Sequence, residues 1–175
     1  MKKILITLLA LCMLSCAVSC DIDTDSPKKE TADNSAVEVT EKVKDEVWGL
    51  NETAVFESLK VTALKLKESN GKNFFEPEKG NIFVGIKFEI ENISDETQSI
   101  SSLLLFDAYA DDIKCEYSIS ANMAFSEGTL DGSLTSGKKL IGWYSVEIPK
   151  NWKKLELEVK SEWLSSNKAT FAFEK

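Results

Sequence analysis

A serine three residues ahead of a lysine can form a nucleophile–base pair without histidine. Ser-x-x-Lys occurs at Ser26–Lys29, Ser69–Lys72, Ser136–Lys139 and Ser165–Lys168. Each match falls in a turn-forming context or a charged N-terminal stretch, and the partner motifs Ser-Asp-Asn and Lys-Thr-Gly are absent. With 19 serines and 21 lysines in 175 residues, such spacings arise by chance. Paired carboxylates can divide acid and base roles in glycoside hydrolysis. Here Asp95-Glu96 and Asp111-Asp112 read as turns, and the glutamates alternating along the strands read as outward solvation. The chain has neither histidine nor arginine, which excludes imidazole catalysis, histidine-ligated metals and bidentate guanidinium recognition of phosphate. Its formal net charge of −8 repels nucleic acid. These residues predict no enzyme, no cofactor, no metal and no nucleic-acid partner.

Cysteine chemistry divides between the two ends of the chain. Cys115 shares its parity with Ile113 and Tyr117, so it reads as an inert, inward-facing core thiol with no neighbouring base. Cys12, Cys16 and Cys20 lie near the N-terminus, leaving Cys115 without a disulfide partner in the body. Lys2 and Lys3 precede the apolar run Ile4–Leu14, the layout of a secretory leader. That run is too short to cross a ~30 Å hydrocarbon core as a helix. Ala17-Val18-Ser19-Cys20 resembles a bacterial lipobox, in which small residues precede a cysteine that is diacylated and becomes the first residue after cleavage. Ala17 stands where that motif usually has leucine. Met13-Leu14-Ser15-Cys16 is a competing site, and plain signal-peptidase cleavage near Ser19 is a further alternative. Cys20 is preferred because it leaves the apolar run whole. The segment after it, Asp21–Glu46, has no aromatic residue and many charges, so it cannot offset its ordering entropy. Asp21, Asp23 and Asp25 lack the glycine and closing glutamate of a calcium loop. The expected organisation is a signal peptide at 1–19, a lipid-attached disordered tether at 20–46 and a folded domain at 47–175. It places the protein outside the cell, anchored to the outer face of the bacterial membrane by a lipid on Cys20.

Beyond Trp48 the hydrophobic period is two. Ile82, Val84, Ile86, Phe88 and Ile90 share one parity, with Lys87, Glu89 and Glu91 on the other, until Asn92 ends the strand. Leu155, Leu157 and Val159 alternate with Glu156, Glu158 and Lys160. Leu59–Lys67 switches parity between Val61 and Leu64, which predicts a β-bulge near Ala63. Ile113–Tyr117, Leu103–Ala110, Leu140–Ile148 and Thr170–Phe173 complete the set. Turn signals separate them at Asn70-Gly71, Asp111-Asp112, Asp131-Gly132 and Ser136-Gly137. No window outside the leader keeps a 3.6-residue period. The prediction is an all-β, immunoglobulin-like antiparallel sandwich of about seven to eight strands.

The layout of Val47–Ser69, Asn81–Ser94, Leu104–Tyr117, Ser136-Gly137-Lys138-Lys139 and Gly142–Pro149 resembles a known family. This is the immunoglobulin-like domain of unknown function found in many lipoproteins of Gram-positive bacteria, itself similar to the immunoprotective secreted antigens of mycobacteria. Its most recognisable pieces are Ile86–Asn92 and the Ser-Gly-Lys-Lys turn before a Gly-aromatic strand ending in Pro149. The family commonly has Asp-Gly where this chain has Asp111-Asp112. The resemblance implies a surface-tethered sandwich and brings no catalytic residues.

The favoured functional reading is a membrane-anchored binding or protein-interaction module with an envelope protein partner. A ligand-free structural or accessory domain is the alternative, and an inhibitor of a secreted enzyme a lesser one. Along Leu140–Ile148, polar Ser145 and Glu147 mark one parity as outward, which turns Ile141 and Trp143 toward solvent as interaction candidates. In the competing reading, Ser118–Thr135 folds back with Met123, Phe125 and Leu130 and covers Trp143.

Overall fold

Alternating apolar and polar residues let Asn81–Asn92 (β5) and Lys139–Pro149 (β10) pair antiparallel without interruption, from Lys139↔Glu91 to Pro149↔Asn81. This long ribbon is the backbone of the first sheet in the computed structural model, which describes residues 28–30, 46–72, 74–125 and 128–175. The sheet runs Lys28–Glu30 (β1), Thr53–Val55 (β3), Leu59–Ser69 (β4), β5, β10. A second sheet orders Val47–Trp48 (β2), Lys168–Glu174 (β12), Lys154–Lys160 (β11), Phe106–Ala110 (β7) and Ile113–Cys115 (β8). Gln98–Ile100 (β6) and Gly132–Leu134 (β9) form a separate pair. Named pairings are antiparallel except β2 with β12. The fold is the expected antiparallel, immunoglobulin-like β-sandwich. It has more strands than expected because several are only two or three residues long, too short for alternation to show.

The two sheets enclose an aromatic centre. Phe88 packs edge-on against Phe171 at 5.3 Å, and Phe106 stacks on Tyr144 at 5.0 Å. Ile86, Ile90, Leu155 and Leu157 fill the space around them. The parity switch in β4 is a register shift between Ala63 and Lys65, as the sequence predicts. Asp111 and Asp112 both adopt positive φ, 47° and 66°, forming the two-residue primed turn that β7–β8 pairing requires. The Asp111 carboxylate accepts the backbone N–H groups of Lys153 (3.0 Å) and Lys154 (2.9 Å), which offsets the conformational cost of a residue with a Cβ there.

Several expectations change. Leu103–Ala110 is not one strand: Ser102–Leu105 forms a single helical turn (α1), and β7 starts at Phe106. Asp131 causes the break, because its carboxylate accepts both the Ser102 N–H and hydroxyl at 2.9 Å. Ile113 does not face the core; it is 72% exposed on the outermost strand β8, beside the turn. The connection after Tyr117 holds a helix, Ile119–Phe125 (α2), whose first turn is capped by the Ser118 hydroxyl on the Ala121 N–H. Within the expected tether, Lys28–Glu30 pairs with β3 from Lys28↔Val55 to Glu30↔Thr53, extending an otherwise open sheet edge. The leader, its cysteines, Cys20 and the aspartates at 21, 23 and 25 lie outside the described residues.

Asn92 ties one end of the sandwich together. Fully buried, it donates through Nδ2 to the carbonyls of Glu96 (2.7 Å) and Leu134 (2.8 Å). Its Oδ1 accepts the Ser94 N–H (3.0 Å) and hydroxyl (2.8 Å). Truncating it removes four hydrogen bonds and leaves the buried Leu134 carbonyl without this donor. Asn92→Ala is expected to lower unfolding free energy by about 2–3 kcal/mol, measured by urea titration, while the surface change Asp95→Ala costs under about 0.5 kcal/mol.

Candidate functional site

The outer face of β10 is where the sequence places Ile141 and Trp143, and the structure gives the two residues different fates. They do share a face, with Ile141 opposite Glu89, Trp143 opposite Lys87 and Ser145 opposite Gly85. Helix α2 lies across that face. Phe125 stacks on the Trp143 ring at 4.9 Å between centroids and 17° between planes, and Lys87 Nζ approaches the ring at 5.9 Å. Trp143 is only 3% exposed and belongs to a second core with Phe83, Ala121, Ala124 and Phe125. Ile141 lies beyond this cluster and remains 46% exposed.

Trp143 as a surface anchor is therefore corrected: α2 occupies the place a partner would take. Of the residues expected to cover it, Phe125 does so, Met123 points to solvent, and Leu130 enters the core between the sheets. Ser145 marked the face as outward, yet it is buried, its hydroxyl reaching Asn122 Oδ1 at 3.4 Å. The signal for α2 was present in the spacing of Ala121, Ala124 and Phe125. Trp143→Ala removes a stacked ring from a closed core and is expected to cost about 3–5 kcal/mol by chemical denaturation. Ile141→Ala, on the exposed part of the strand, should change stability by less than about 1 kcal/mol.

The candidate chemical groups are occupied in local structure. Ser69 and Ser165 hydroxyls accept the N–H groups of Gly71 (3.1 Å) and Asn167 (3.0 Å). Lys139 Nζ donates to Glu89 (2.7 Å), which holds its pKa above the ordinary lysine value and makes it a poor base. The Ser102–Asp131 contact has the geometry of a cap, and a carboxylate alone is too weak a base to activate a serine. No group of three or more histidine, cysteine, aspartate or glutamate side chains suited to a metal occurs among the described residues. No helix among them is long and apolar enough to cross a membrane.

Cys115 is a free thiol, half-buried against the core rather than fully inside it. Burial pushes its pKa up, and its Sγ–H donates to the Ile113 carbonyl at 3.3 Å. The neutral thiol dominates at pH 7, so alkylation of the Cys115 peptide in the native protein, followed by mass spectrometry, should be slow. Its rate should climb as pH rises through and above the ordinary thiol range, and jump on denaturation at constant pH.

A further surface feature lies at the end of the sandwich where α1 meets the β11–β12 loop. Leu104 and Leu105 from α1 and Trp163 from the loop line a groove of about 280 Å³, with Gln98, Ser101 and Glu162 at its polar margins. Trp163 is 64% exposed and Leu164 84%, and Leu103, on α1, is exposed as well. Phe106 begins β7 directly after α1 and pairs with Val159 at the end of β11, which brings the helix and loop together. Sequence reasoning missed this groove. Its signal was an aromatic–aliphatic pair, Trp163-Leu164, inside the otherwise polar stretch 161–167.

The two five-stranded sheets packed face to face define the class of architecture, an immunoglobulin-like β-sandwich. The chain belongs to the family described as "Domain of unknown function (DUF4352)", whose model matches residues 48–170. Among solved structures it is similar to a "putative lipoprotein (ycdA)" from Bacillus subtilis, with a TM-score of 0.57 and 14% identity over 67% of this chain. It spans 37% of that protein. It is also similar to the yjhA protein from Bacillus subtilis (TM-score 0.54, 20% identity, 73% of this chain and 99% of that one). A conserved hypothetical protein from Bacillus anthracis matches with a TM-score of 0.53 and 19% identity, over 74% of this chain and 99% of that one. At these identities the likeness establishes the fold. No curated protein matches the sequence.

Proposed function

We propose that the chain is an exported envelope lipoprotein, cleaved ahead of Cys20 and diacylated there, whose sandwich acts outside the cell as a non-catalytic binding or protein-interaction module. The observation that carries this reading is Ala17-Val18-Ser19-Cys20 placed directly after a leader-length apolar run. Two acyl chains are what stable, lasting anchorage requires. The family match starts at residue 48, downstream of this segment. The ycdA neighbour described as a putative lipoprotein is consistent with this assignment. The likeness to mycobacterial secreted antigens rests on sequence resemblance alone. The binding role is supported by the groove between α1 and Trp163, where Leu104 and Trp163 stay exposed while Leu105 anchors the helix in the core.

Detergent-phase partitioning of whole-cell protein tests the anchor. Wild type should enter the detergent phase with a diacylated N-terminal peptide beginning at Cys20, while Cys20→Ser should remain aqueous or keep its leader. A Cys20→Ser protein that still partitions into detergent and still begins at residue 20 overturns the assignment. A lipid found on Cys16 transfers it to the competing site.

A further inference from the structure

We propose that the α1 end of the sandwich is a membrane-contact surface, on which Leu103, Leu104, Trp163 and Leu164 enter the interface of the bilayer that holds the lipid on Cys20. The inference rests on the lipoprotein reading above and names what its groove meets. It starts from where the chain leaves the fold. β2 runs parallel to β12, with Val47 opposite Thr170, so β2 begins at the end of the sheet where β12 begins. That is the end carrying the β11–β12 loop and α1. The β1 strand agrees independently. Lys28 lies opposite Val55, which lies opposite Lys60, so β1 begins at the same end of the neighbouring sheet.

Length then decides which end can reach the lipid. The eight peptide steps from Cys20 to Lys28 span at most about 27 Å when fully extended. Twelve-residue β5 alone measures about 40 Å. The opposite end, where Phe74 is exposed in the β4–β5 connection, is therefore beyond the reach of a short leash fixed in the bilayer. The α1 end is within it. Its side chains also suit a bilayer boundary, since tryptophan favours the headgroup level and leucines favour the acyl region beneath it. The lysines beside the loop, Lys160 and Lys168, are paired with Asp107 and Glu158, and the net charge is −8, so the contact is apolar and should resist added salt. Because the diacyl group already retains the protein, the contact fixes how the domain stands on the membrane.

Tryptophan fluorescence provides the test. The chain has four tryptophans, and Trp48, Trp143 and Trp152 are buried, which leaves Trp163 as the exposed reporter. The full-length lipidated protein is reconstituted on phosphatidylcholine–phosphatidylglycerol vesicles with brominated acyl chains. Wild type should co-sediment and show bromolipid quenching that persists when salt is raised and disappears in Trp163→Phe. In Leu103→Ser/Leu164→Ser the quenching should fall by about half as apolar area is lost. In Phe74→Ser, altered at the far end, it should not change. Co-sedimentation without quenching overturns this inference and leaves the anchor standing, whereas failure to co-sediment overturns both. Shielding of Trp163 from acrylamide in the absence of vesicles overturns it in favour of a second copy of the chain.

Discussion

The close approach of α2 to the outer face of the first sheet is the constraint on which the rest of the molecule depends. A Cβ at Gly85 would stand 2.7 Å from the Phe125 ring, so the stacking of Phe125 on Trp143 requires glycine at that place in β5. Once the helix is seated, Phe83 and Val84 are buried on opposite sides of the same strand. The first sheet is then the middle layer of a three-layer region, although the fold is nominally two sheets. The arrangement has a local cost. Trp143 Nε1 is buried with no hydrogen-bond partner, and ring stacking and the exclusion of water must offset it.

This layering explains what the sequence made legible. Strands with one wet face announced themselves, as in Leu155–Val159, and so did the parity switch at the β4 bulge. Where both faces are dry, alternation stops carrying information. Ser145 looked outward because it is polar, but a small hydroxyl can be buried once Asn122 offers an acceptor. Helix α2 is only seven residues long, and polar Asn122 interrupts its apolar face, so its period was too short to stand out. Helix α1 depends on Asp131, a residue distant in sequence, and no local pattern could reveal it. The β1 strand depends on an edge it meets only after folding. The groove beside Trp163 arises from two segments that touch only in the folded sandwich, so the sequence showed its halves without their meeting.

An all-lysine cation set shapes the surface. Asp107 is held below its usual range chiefly by Lys160 and then Lys114, each at 2.9 Å. Glu68 accepts Lys175 Nζ at 2.7 Å and Trp152 Nε1–H at 2.8 Å, which brings the C-terminus and the β10–β11 connection onto β4. Such partly exposed ion pairs contribute little each, about 0–1 kcal/mol. They register neighbouring segments, while cohesion comes from the two apolar cores. A domain whose described cysteine is a free thiol has no covalent staple to substitute for them.

The pairing of β2 with β12 carries a consequence for how the protein matures. Trp48, near the start of the domain, completes its environment against Phe171, almost at the end, with ring centroids 6.1 Å apart. A chain that emerges N-terminus first must hold that tryptophan in waiting until β12 is clear. Native-like closure of the second sheet is therefore a late event, set by delivery of the C-terminal strand rather than by local propensity. During that interval β11 has no β12 beside it, and its Leu-Glu-Leu-Glu-Val run is an open strand edge. The alternating glutamates give that transient edge the negative charge that keeps it from pairing with another unfinished chain.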